Sequence, residues 1–404
     1  MRIIFISLIY NPQEIDTYLS KSTIGLEEAS NTLQLRLIDG FLSQPDTSLT
    51  VLSSPPFGPF PGKYRQLFFK SREWEYKGTV VHELGYVNLP WIKMLIRERK
   101  LFSRLREILD AASDGETAVI AYSLYPSFLR IFKKLSRLYP DVHTSVVVTD
   151  LFGKYGVRPA NPVKSILVDI YNAYLTVLQQ YPDSFTLLTE QMRFPLQVGD
   201  RPFCVVEGIA ADLPAGSAPR QDTDQKIILY AGTLRYEYGI RTLLDAFRLI
   251  QDPDYALWIF GSGDAADEIT ALSRKDPRIR FFGFLSKAEL NKLQQQATVL
   301  VNPRQNDGEY VKYSFPSKTF EYLASGIPMV GYKLAGFPND YDNCIFYVNG
   351  NTPEALRDKL VEVCSMPRSE RDSFAARARD YVLENKNSIR QTEKILNMIK
   401  GSLS

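Results

Sequence analysis

Residues 299–331 read Val-Leu-Val-Asn-Pro-Arg-Gln-Asn-Asp-Gly-Glu-Tyr-Val-Lys-Tyr-Ser-Phe-Pro-Ser-Lys-Thr-Phe-Glu-Tyr-Leu-Ala-Ser-Gly-Ile-Pro-Met-Val-Gly. The apolar run at 299–302 predicts a buried strand, and Pro316 and Ser317 stand where a helix would begin. Residues 319–325 continue at helical spacing, and a second apolar run at 329–331 follows. Strand, helix and strand in this order predict one βαβ unit of a parallel sheet.

The same alternation of short apolar runs and helical stretches occurs along the whole chain. The runs lie at 3–10, 49–52, 118–122, 145–149 and 185–189, and then at 226–232, 255–261, 278–283, 299–302, 329–331 and 344–348. The pattern loosens between residues 193 and 224, which indicates a domain boundary. We therefore predict an α/β fold of two Rossmann-like doubly wound domains, residues 1–195 and 196–385, that face a central cleft. The C-terminal helix 386–404 is predicted to return to the N-terminal domain.

Composition excludes several classes of protein. The 404 residues are 45% hydrophobic and 23% charged, with a net charge of +2, so nucleic acid is not an expected partner. Three scattered cysteines, Cys204, Cys344 and Cys364, and two histidines predict neither a disulfide framework nor a metal site. The apolar start ends at Asn11-Pro12 and predicts a first strand, not a signal peptide. We expect a cytoplasmic protein.

Landmarks in the second half carry a resemblance to a known family. Besides the opening stretch, they are Val206-Glu-Gly208, Tyr230-Ala-Gly232-Thr-Leu-Arg-Tyr-Glu237-Tyr-Gly239, Phe260-Gly-Ser-Gly263, Phe281-Phe-Gly283 and Asn302-Pro-Arg304. On these landmarks, the chain between residues 200 and 365 resembles the retaining glycosyltransferases of group 1 (family four), whose architecture is called GT-B. The opening stretch is most similar to the branch found among bacterial capsule and surface-polysaccharide enzymes.

The resemblance implies a site for the donor, with departures from the family pattern. Glu321 matches the second of two family carboxylates and is expected at the donor ribose, whereas Tyr313 stands where the first carboxylate is usual. Asp307 and Glu309 are its nearest substitutes, and Glu309 is our preferred contact to the donor sugar. The usual arginine and lysine that hold the diphosphate are absent. Their expected replacements, in order, are Lys318, Arg235 and Lys312, with Ser317 at the start of the helix.

Glycines after the predicted strands have two interpretations. Gly232, Gly261 and Gly263 either allow a phosphate to approach the backbone or only allow close packing of the next helix. The resemblance places the backbone of Gly283, Phe284 and Leu285 at the base of the nucleotide.

Asp150 is the candidate from the first domain. It follows the strand predicted at 145–149 and either contacts a sugar hydroxyl near the acceptor or caps a helix. The family histidine expected near residues 121–125 is absent.

Residues 91–110 predict an amphipathic helix. Trp91, Leu95, Phe102, Leu105 and Leu109 are assigned to one face, and the opposite face carries the cations Lys93, Arg97, Lys100 and Arg104. One interpretation is a helix that covers the first sheet and exposes a solvated basic face. The other is contact with an anionic bilayer at the inner face of the membrane.

The predicted function is transfer of a hexosyl unit, with retention, from a nucleotide diphosphate sugar to a hydroxyl of a glycan or lipid-linked glycan. The catalytic candidates are Glu309, Asp150 and Lys318; no cofactor is expected, and no DxD motif at a strand end indicates a metal. Two alternatives stay open. One is a catalytically degenerate subunit that binds nucleotide sugars or acts as a scaffold, and the other is a sugar-nucleotide epimerase of the same architecture.

Overall fold

The computed structural model describes residues 1–111, 115–151, 161–210 and 225–403. The chain divides into two compact units, of which unit 1 comprises Met1–Ile209 and Ser388–Ser404, and unit 2 comprises Ala210–Asn387. The sequence prediction placed these limits after residues 195 and 385. Part of the loosely patterned stretch predicted as the boundary, 211–224, lies outside the described residues.

The strands of unit 1 form one sheet in the order β3-β4-β2-β1-β5-β6-β7-β8. Neighbouring strands are parallel except β3 and β4, which form an antiparallel hairpin at the edge. Residues 3–6 are at most 1% exposed, because a parallel sheet is covered on both faces. The strands are β1 (Arg2–Ser7), β2 (Ser48–Ser53), β3 (Arg72–Tyr76), β4 (Thr79–Glu83), β5 (Thr117–Tyr122), β6 (Val142–Val148), β7 (Ser184–Leu187) and β8 (Phe203–Val205).

Helices alternate with these strands and cover the sheet. They are α1 (Ile15–Lys21), α2 (Glu28–Leu42), α3 (Ile92–Asp110), α4 (Pro126–Leu138) and α5 (Pro162–Leu178). Side chains join α3, α4 and α5 in a row: Arg130 of α4 donates through Nε to Glu98 of α3 (2.6 Å) and through Nη1 to the Tyr174 hydroxyl of α5 (3.4 Å). The three helices therefore pack side by side, with α4 in the middle.

The prediction that residues 91–110 form a helix is confirmed, but the predicted apolar face is wrong. Leu105 and Leu109 are buried, whereas Trp91 and Leu95 are 81% and 55% exposed. Trp91 lies before the helix with a positive φ of 64°, so it does not continue the helical stripe. The predicted solvated basic face is also interrupted, since Lys93 donates to the carbonyl oxygen of Phe57 at 2.9 Å.

Unit 2 has a second parallel sheet, in the order β11-β10-β9-β12-β13-β14. Its strands coincide with the apolar runs of the second half, so the prediction of two doubly wound domains is confirmed. The strands are β9 (Lys226–Ala231), β10 (Tyr255–Phe260), β11 (Ile279–Gly283), β12 (Val299–Asn302), β13 (Met329–Gly331) and β14 (Phe346–Tyr347). The helices are α6 (Ile240–Arg248), α7 (Ala266–Ser273), α8 (Lys287–Gln294), α9 (Lys318–Ala324), α10 (Pro353–Ser365) and α11 (Arg368–Asn385).

The last helix, α12 (Ser388–Leu403), returns to unit 1, as predicted. It lies against α2, where a Cβ on Gly40 would be 2.3 Å from the carbonyl oxygen of Ser388. Gln44 also donates through Nε2 to the carbonyl oxygen of Ile389 at 2.9 Å. Within the described ranges, no helix is long and apolar enough to cross a bilayer.

Candidate functional site

A buried tyrosine fixes the candidate site in unit 2. The Tyr322 hydroxyl of α9 accepts a hydrogen bond from the Ala231 N–H (2.8 Å) and donates one to the Ala231 carbonyl oxygen (3.1 Å). Burial raises the pKa of Tyr322, so the hydroxyl stays protonated and both bonds persist at neutral pH. The short helix α9 is thereby held beside the last residue of β9. Lys318 and Glu321 belong to the same short helix.

The turns that follow β9 and β10 touch each other through glycines. A Cβ on Gly261 would be 1.8 Å from the carbonyl oxygen of Gly232, and a Cβ on Gly263 would be 2.4 Å from that of Leu234. Gly261 also donates its N–H to the carbonyl oxygen of Gly283 at 2.8 Å. Close packing of backbone on backbone thus accounts for Gly261 and Gly263. A contact of either glycine with phosphate stays a prediction.

Each predicted phosphate-binding cation has a carboxylate beside it. Lys318 Nζ lies 2.7 Å from Glu321 Oε2, one helical turn away, and the two side chains are 38% and 37% exposed. Arg235 is 3.2 Å from the Oε2 atom of the neighbouring Glu237. Half-exposed pairs of this kind contribute about 0–1 kcal/mol, so a diphosphate is able to compete for the cations.

Glu309 and Lys312 form a third ion pair on the loop before α9. Lys312 Nζ lies 2.9 Å from Glu309 Oε1, and this hydrogen bond raises the pKa of Lys312. Both residues belong to one 3₁₀ turn, Glu309–Tyr313, which leads into Ser314 and the start of α9. Glu309 and Lys312, which were predicted separately as donor contacts, are therefore paired with each other within one turn. Contact of either residue with a donor is not tested.

Arg304 was not predicted as a site residue, although its motif Asn302-Pro-Arg304 was noted. Its guanidinium lies 5.3 Å from the ring centroid of Tyr238 and 5.1 Å from that of Tyr310, and Nη2 donates to Ser314 Oγ at 2.9 Å. Arg304 therefore joins the turn after β9 to the loop that precedes α9. Tyr238 lies far from Arg304 in sequence, so only the position of an arginine shortly after a buried strand signals this role.

The remaining predicted positions of unit 2 lie at the start of α9 or at the end of β11 and just after it. Ser317 precedes α9 and makes no side-chain cap, while Thr319 donates its N–H to the carbonyl oxygen of Pro316 at 2.9 Å. The Phe284 ring is 78% exposed directly after β11, and Leu285 is partly buried against the core. An open aromatic face beside Gly283 is a surface on which a nucleotide base is able to stack.

Unit 1 presents polar groups where its parallel strands end. Asp150 follows β6, is exposed, and accepts the Leu151 N–H through Oδ1 at 2.7 Å. The hydroxyls of Tyr10, Ser54 and Ser123 are buried and have no hydrogen-bond partner within the part of the chain that the structure describes. They follow β1, β2 and β5, which are neighbours in the sheet. Buried hydroxyls without partners are costly unless a ligand or water satisfies them.

No cluster suited to a metal ion occurs among the described residues. Groups of three or more His, Cys, Asp or Glu side chains placed to hold an ion are absent from those ranges. Cys204, Cys344 and Cys364 form no disulfide bond within the described ranges, and burial raises the pKa of Cys204 and Cys344 to about 11. The thiols of Cys204 and Cys344 are therefore neutral at physiological pH. Independence from a metal stays a prediction.

Comparisons with known proteins agree with the landmarks of the sequence. Residues 225–366 match the sequence profile of the family described as Glycosyl transferases group 1, so this segment of unit 2 is similar to that family. An uncharacterized glycosyltransferase of Methanocaldococcus jannaschii is 32% identical over 117 residues. That alignment covers 28% of this chain and 28% of the relative, so it spans little more than a quarter of either protein.

Solved structures of similar fold cover nearly the whole chain. The lipopolysaccharide outer core galactosyltransferase WaaB has a TM-score of 0.61 at 16% identity, with 99% of each chain covered. The catalytic domain of starch synthase IV from Arabidopsis thaliana, bound to ADP and acarbose, has a TM-score of 0.65 at 9% identity and covers 100% of this chain and 99% of that one. At these identities the likeness shows the fold, and the predicted GT-B class is confirmed.

Proposed function

We propose that the protein transfers a hexosyl unit from a nucleotide diphosphate sugar to a hydroxyl of a lipid-linked glycan, with retention, in surface-polysaccharide synthesis. The observation that carries this proposal is the Lys318–Glu321 pair on α9, the helix that the buried Tyr322 bonds to Ala231 at the end of β9. A cation and a carboxylate one helical turn apart match a ligand in which a diphosphate is joined to a ribose. The group 1 profile match over residues 225–366 supports the same ligand class.

The donor is proposed to exchange ion pairs on binding. Lys318 and Arg235 turn from their carboxylates to the diphosphate, and Glu321 then accepts hydrogen bonds from the ribose hydroxyls. The base stacks near Phe284, and the backbone at Gly283 and Leu285 contacts its edge. Lysine and arginine supply the positive charge that stabilises the leaving diphosphate, so no metal is required by the proposed mechanism.

The sugar is proposed to lie beside Glu309, with Asp307 as the alternative contact. Both acids lie on the segment that leads into α9, where Tyr313 occupies the position of the usual family carboxylate. The leaving phosphate accepts the proton of the acceptor hydroxyl, and therefore no protein nucleophile is needed. A Glu309→Gln variant is expected to lower turnover of the sugar nucleotide while free nucleoside diphosphate binds as in the wild type.

The acceptor is proposed to bind unit 1. Asp150 and the buried hydroxyls of Tyr10, Ser54 and Ser123, which have no hydrogen-bond partner among the described residues, lie where strands end, and a polyhydroxylated glycan would supply hydrogen bonds to them. The segment 91–110, which contains α3, is proposed to contact the inner membrane surface, because Trp91, just before the helix, and Leu95 within it are exposed. That contact would bring the enzyme to a lipid-linked acceptor.

A nucleotide-sugar-binding subunit without catalysis is the second candidate. It is favoured by Tyr313 in place of an acid and by the carboxylate beside each of Lys318, Arg235 and Lys312. Purified protein should be titrated with UDP-, GDP- and dTDP-sugars by thermal shift, where a ligand at a hundred times its Kd stabilises by about 2.7 kcal/mol. Release of nucleoside diphosphate is then measured with the best ligand, with and without EDTA.

Release that persists in EDTA supports the proposed transferase. Tight binding without release supports the binding subunit. Stabilisation by none of the sugar nucleotides contradicts both candidates. A Lys359→Ala variant serves as the control for Lys318→Ala, since Lys359 and Glu362 form a similar i,i+3 pair (2.6 Å) on a different helix, α10.

A further inference from the structure

Two clusters of exposed apolar side chains lie on helices of unit 1. Trp91 and Ile92 at the start of α3, with Leu95 one turn later, are 81%, 46% and 55% exposed. On α5, Ile166, Leu167 and Ile170 are 59%, 60% and 61% exposed. Side chains of this size in contiguous exposed positions mark an interaction surface, whereas single exposed apolar residues do not.

The row of side chains across α3, α4 and α5 places the two clusters at the same level. Glu98, Arg130 and Tyr174 are joined by hydrogen bonds, so they define one line across the three helices. The α3 cluster precedes Glu98, and the α5 cluster precedes Tyr174. Helices that connect parallel strands begin at the edge of the sheet where the strands end. Both clusters therefore lie at that edge of unit 1.

The exposed Phe68 and four exposed cationic residues accompany the α3 cluster. Phe68, which is 66% exposed, forms an isolated β-bridge with Val87 shortly before Trp91. The side chains of Lys63, Arg65, Lys70 and Arg99 are exposed. In the described ranges, none of these four has a side-chain hydrogen bond or ion pair in the structure. Arg99 follows Leu95 by one turn, so an unpaired charge continues the apolar stripe of α3.

We propose that α3, the loop at Phe68 and the exposed apolar side chains of α5 at Ile166, Leu167 and Ile170 form one docking face for an anionic lipid bilayer. Apolar side chains enter the boundary between headgroups and acyl chains, and the unpaired cations contact the anionic headgroups. Association with a second copy is disfavoured, because a two-fold contact would place the same unpaired cations against one another. The inference rests on the membrane contact proposed above and not on the transfer reaction.

Flotation with vesicles tests this docking face. Wild-type protein is mixed with vesicles of phosphatidylcholine alone or with added phosphatidylglycerol, and it is expected to float only with the anionic vesicles and less at high salt. Leu95→Glu and Ile170→Glu are each expected to lower the bound fraction at least about fivefold, because a charge replaces an inserted side chain. Leu138→Glu is the matched control, since Leu138 is 58% exposed at the opposite end of α4.

Three measurements complete the test. Unfolding temperatures close to that of the wild type show that the variants are folded. The proposal is overturned if neither Leu95→Glu nor Ile170→Glu changes the fraction of protein bound to vesicles. It is also overturned if light scattering shows that the wild type is a dimer, and Ile170→Glu converts that dimer to a monomer that does not float with vesicles. Release of nucleoside diphosphate is assayed without vesicles. A variant that releases nucleoside diphosphate as the wild type does but no longer floats with vesicles supports docking. Wild-type protein that floats but releases no nucleoside diphosphate contradicts only the transfer reaction.

Discussion

Lys318→Ala is the substitution that most directly separates a donor site from an ordinary surface ion pair. Lys318 Nζ contacts Glu321 at 2.7 Å, and the lysine side chain is 38% exposed. The pair lies on one helical turn, so its loss should lower the free energy of unfolding by only about 0.3–0.5 kcal/mol. If the lysine holds a diphosphate, the same substitution removes a charge-assisted contact.

The size of the expected loss follows from the exposure of the site. A hydrogen bond to a charged group contributes about 1.5–3 kcal/mol, and partial exposure favours the lower end of that range. About 1.4 kcal/mol corresponds to a tenfold change, so the Kd for nucleoside diphosphate should rise about tenfold or more. The unfolding temperature should change by no more than about 2 °C.

Isothermal titration with nucleoside diphosphate measures this effect, and Lys359→Ala is the control. Lys359 forms the equivalent pair with Glu362 at 2.6 Å in the same unit. The control should lose similar stability while binding the nucleotide as the wild type does. Equal affinities for the wild type and Lys318→Ala, in protein that is folded, would refute the reasoning.

Two further substitutions test the framework of the site, and a third tests a partly buried lysine of unit 1. Tyr322→Phe leaves the buried Ala231 groups without their partner and should lower the free energy of unfolding by about 1–3 kcal/mol in urea, with weaker donor binding. Gly261→Ala should lower the free energy of unfolding more than Gly199→Ala does, because a Cβ at Gly261 overlaps the Gly232 carbonyl oxygen. Gly199→Ala is the control, since Gly199 also has a positive φ but a Cβ there meets nothing within 4 Å. Burial lowers the pKa of Lys93 to about 8, with Arg97 and Lys63 adding repulsion, so the unfolded chain binds the extra proton between about pH 8 and 10.5. The free energy of unfolding should therefore rise with pH in that interval, and Lys93→Met should remove this rise. The same dependence of unfolding on pH in the wild type and in Lys93→Met would contradict the lowered pKa.

The strands were predictable because both faces of each parallel strand are buried and the apolar runs are continuous. The hairpin of β3 and β4 was missed, since Arg72-Glu-Trp-Glu-Tyr76 carries alternating charge and lies at an edge with one half-exposed face. Its two-residue turn, Lys77-Gly78, has positive φ values of 46° and 81°, as hairpin turns of this length require. The sequence signal that would have indicated the hairpin is this run of alternating charged and aromatic residues, followed by Lys77-Gly78.

The candidate site was predictable only where the signal is local in sequence. Lys318 and Glu321 are one turn apart, so their proximity follows from the helix. Arg304 and Tyr322 act on residues of β9 and the turn after it, and no spacing in the sequence reveals those contacts. The face of α3 was mispredicted because periodicity does not tell where a helix begins, and Trp91 lies just outside it.

The most direct measurement of the central claim is proton NMR of the first product formed from a sugar nucleotide and a lipid-linked or soluble glycan acceptor. The coupling constant of the anomeric proton reports the configuration at the new bond. The account predicts a glycoside with the same anomeric configuration as the donor, formed in the presence of EDTA and reduced at least about tenfold by Lys318→Ala. A product of inverted configuration, or no glycoside with any donor that binds, would contradict it.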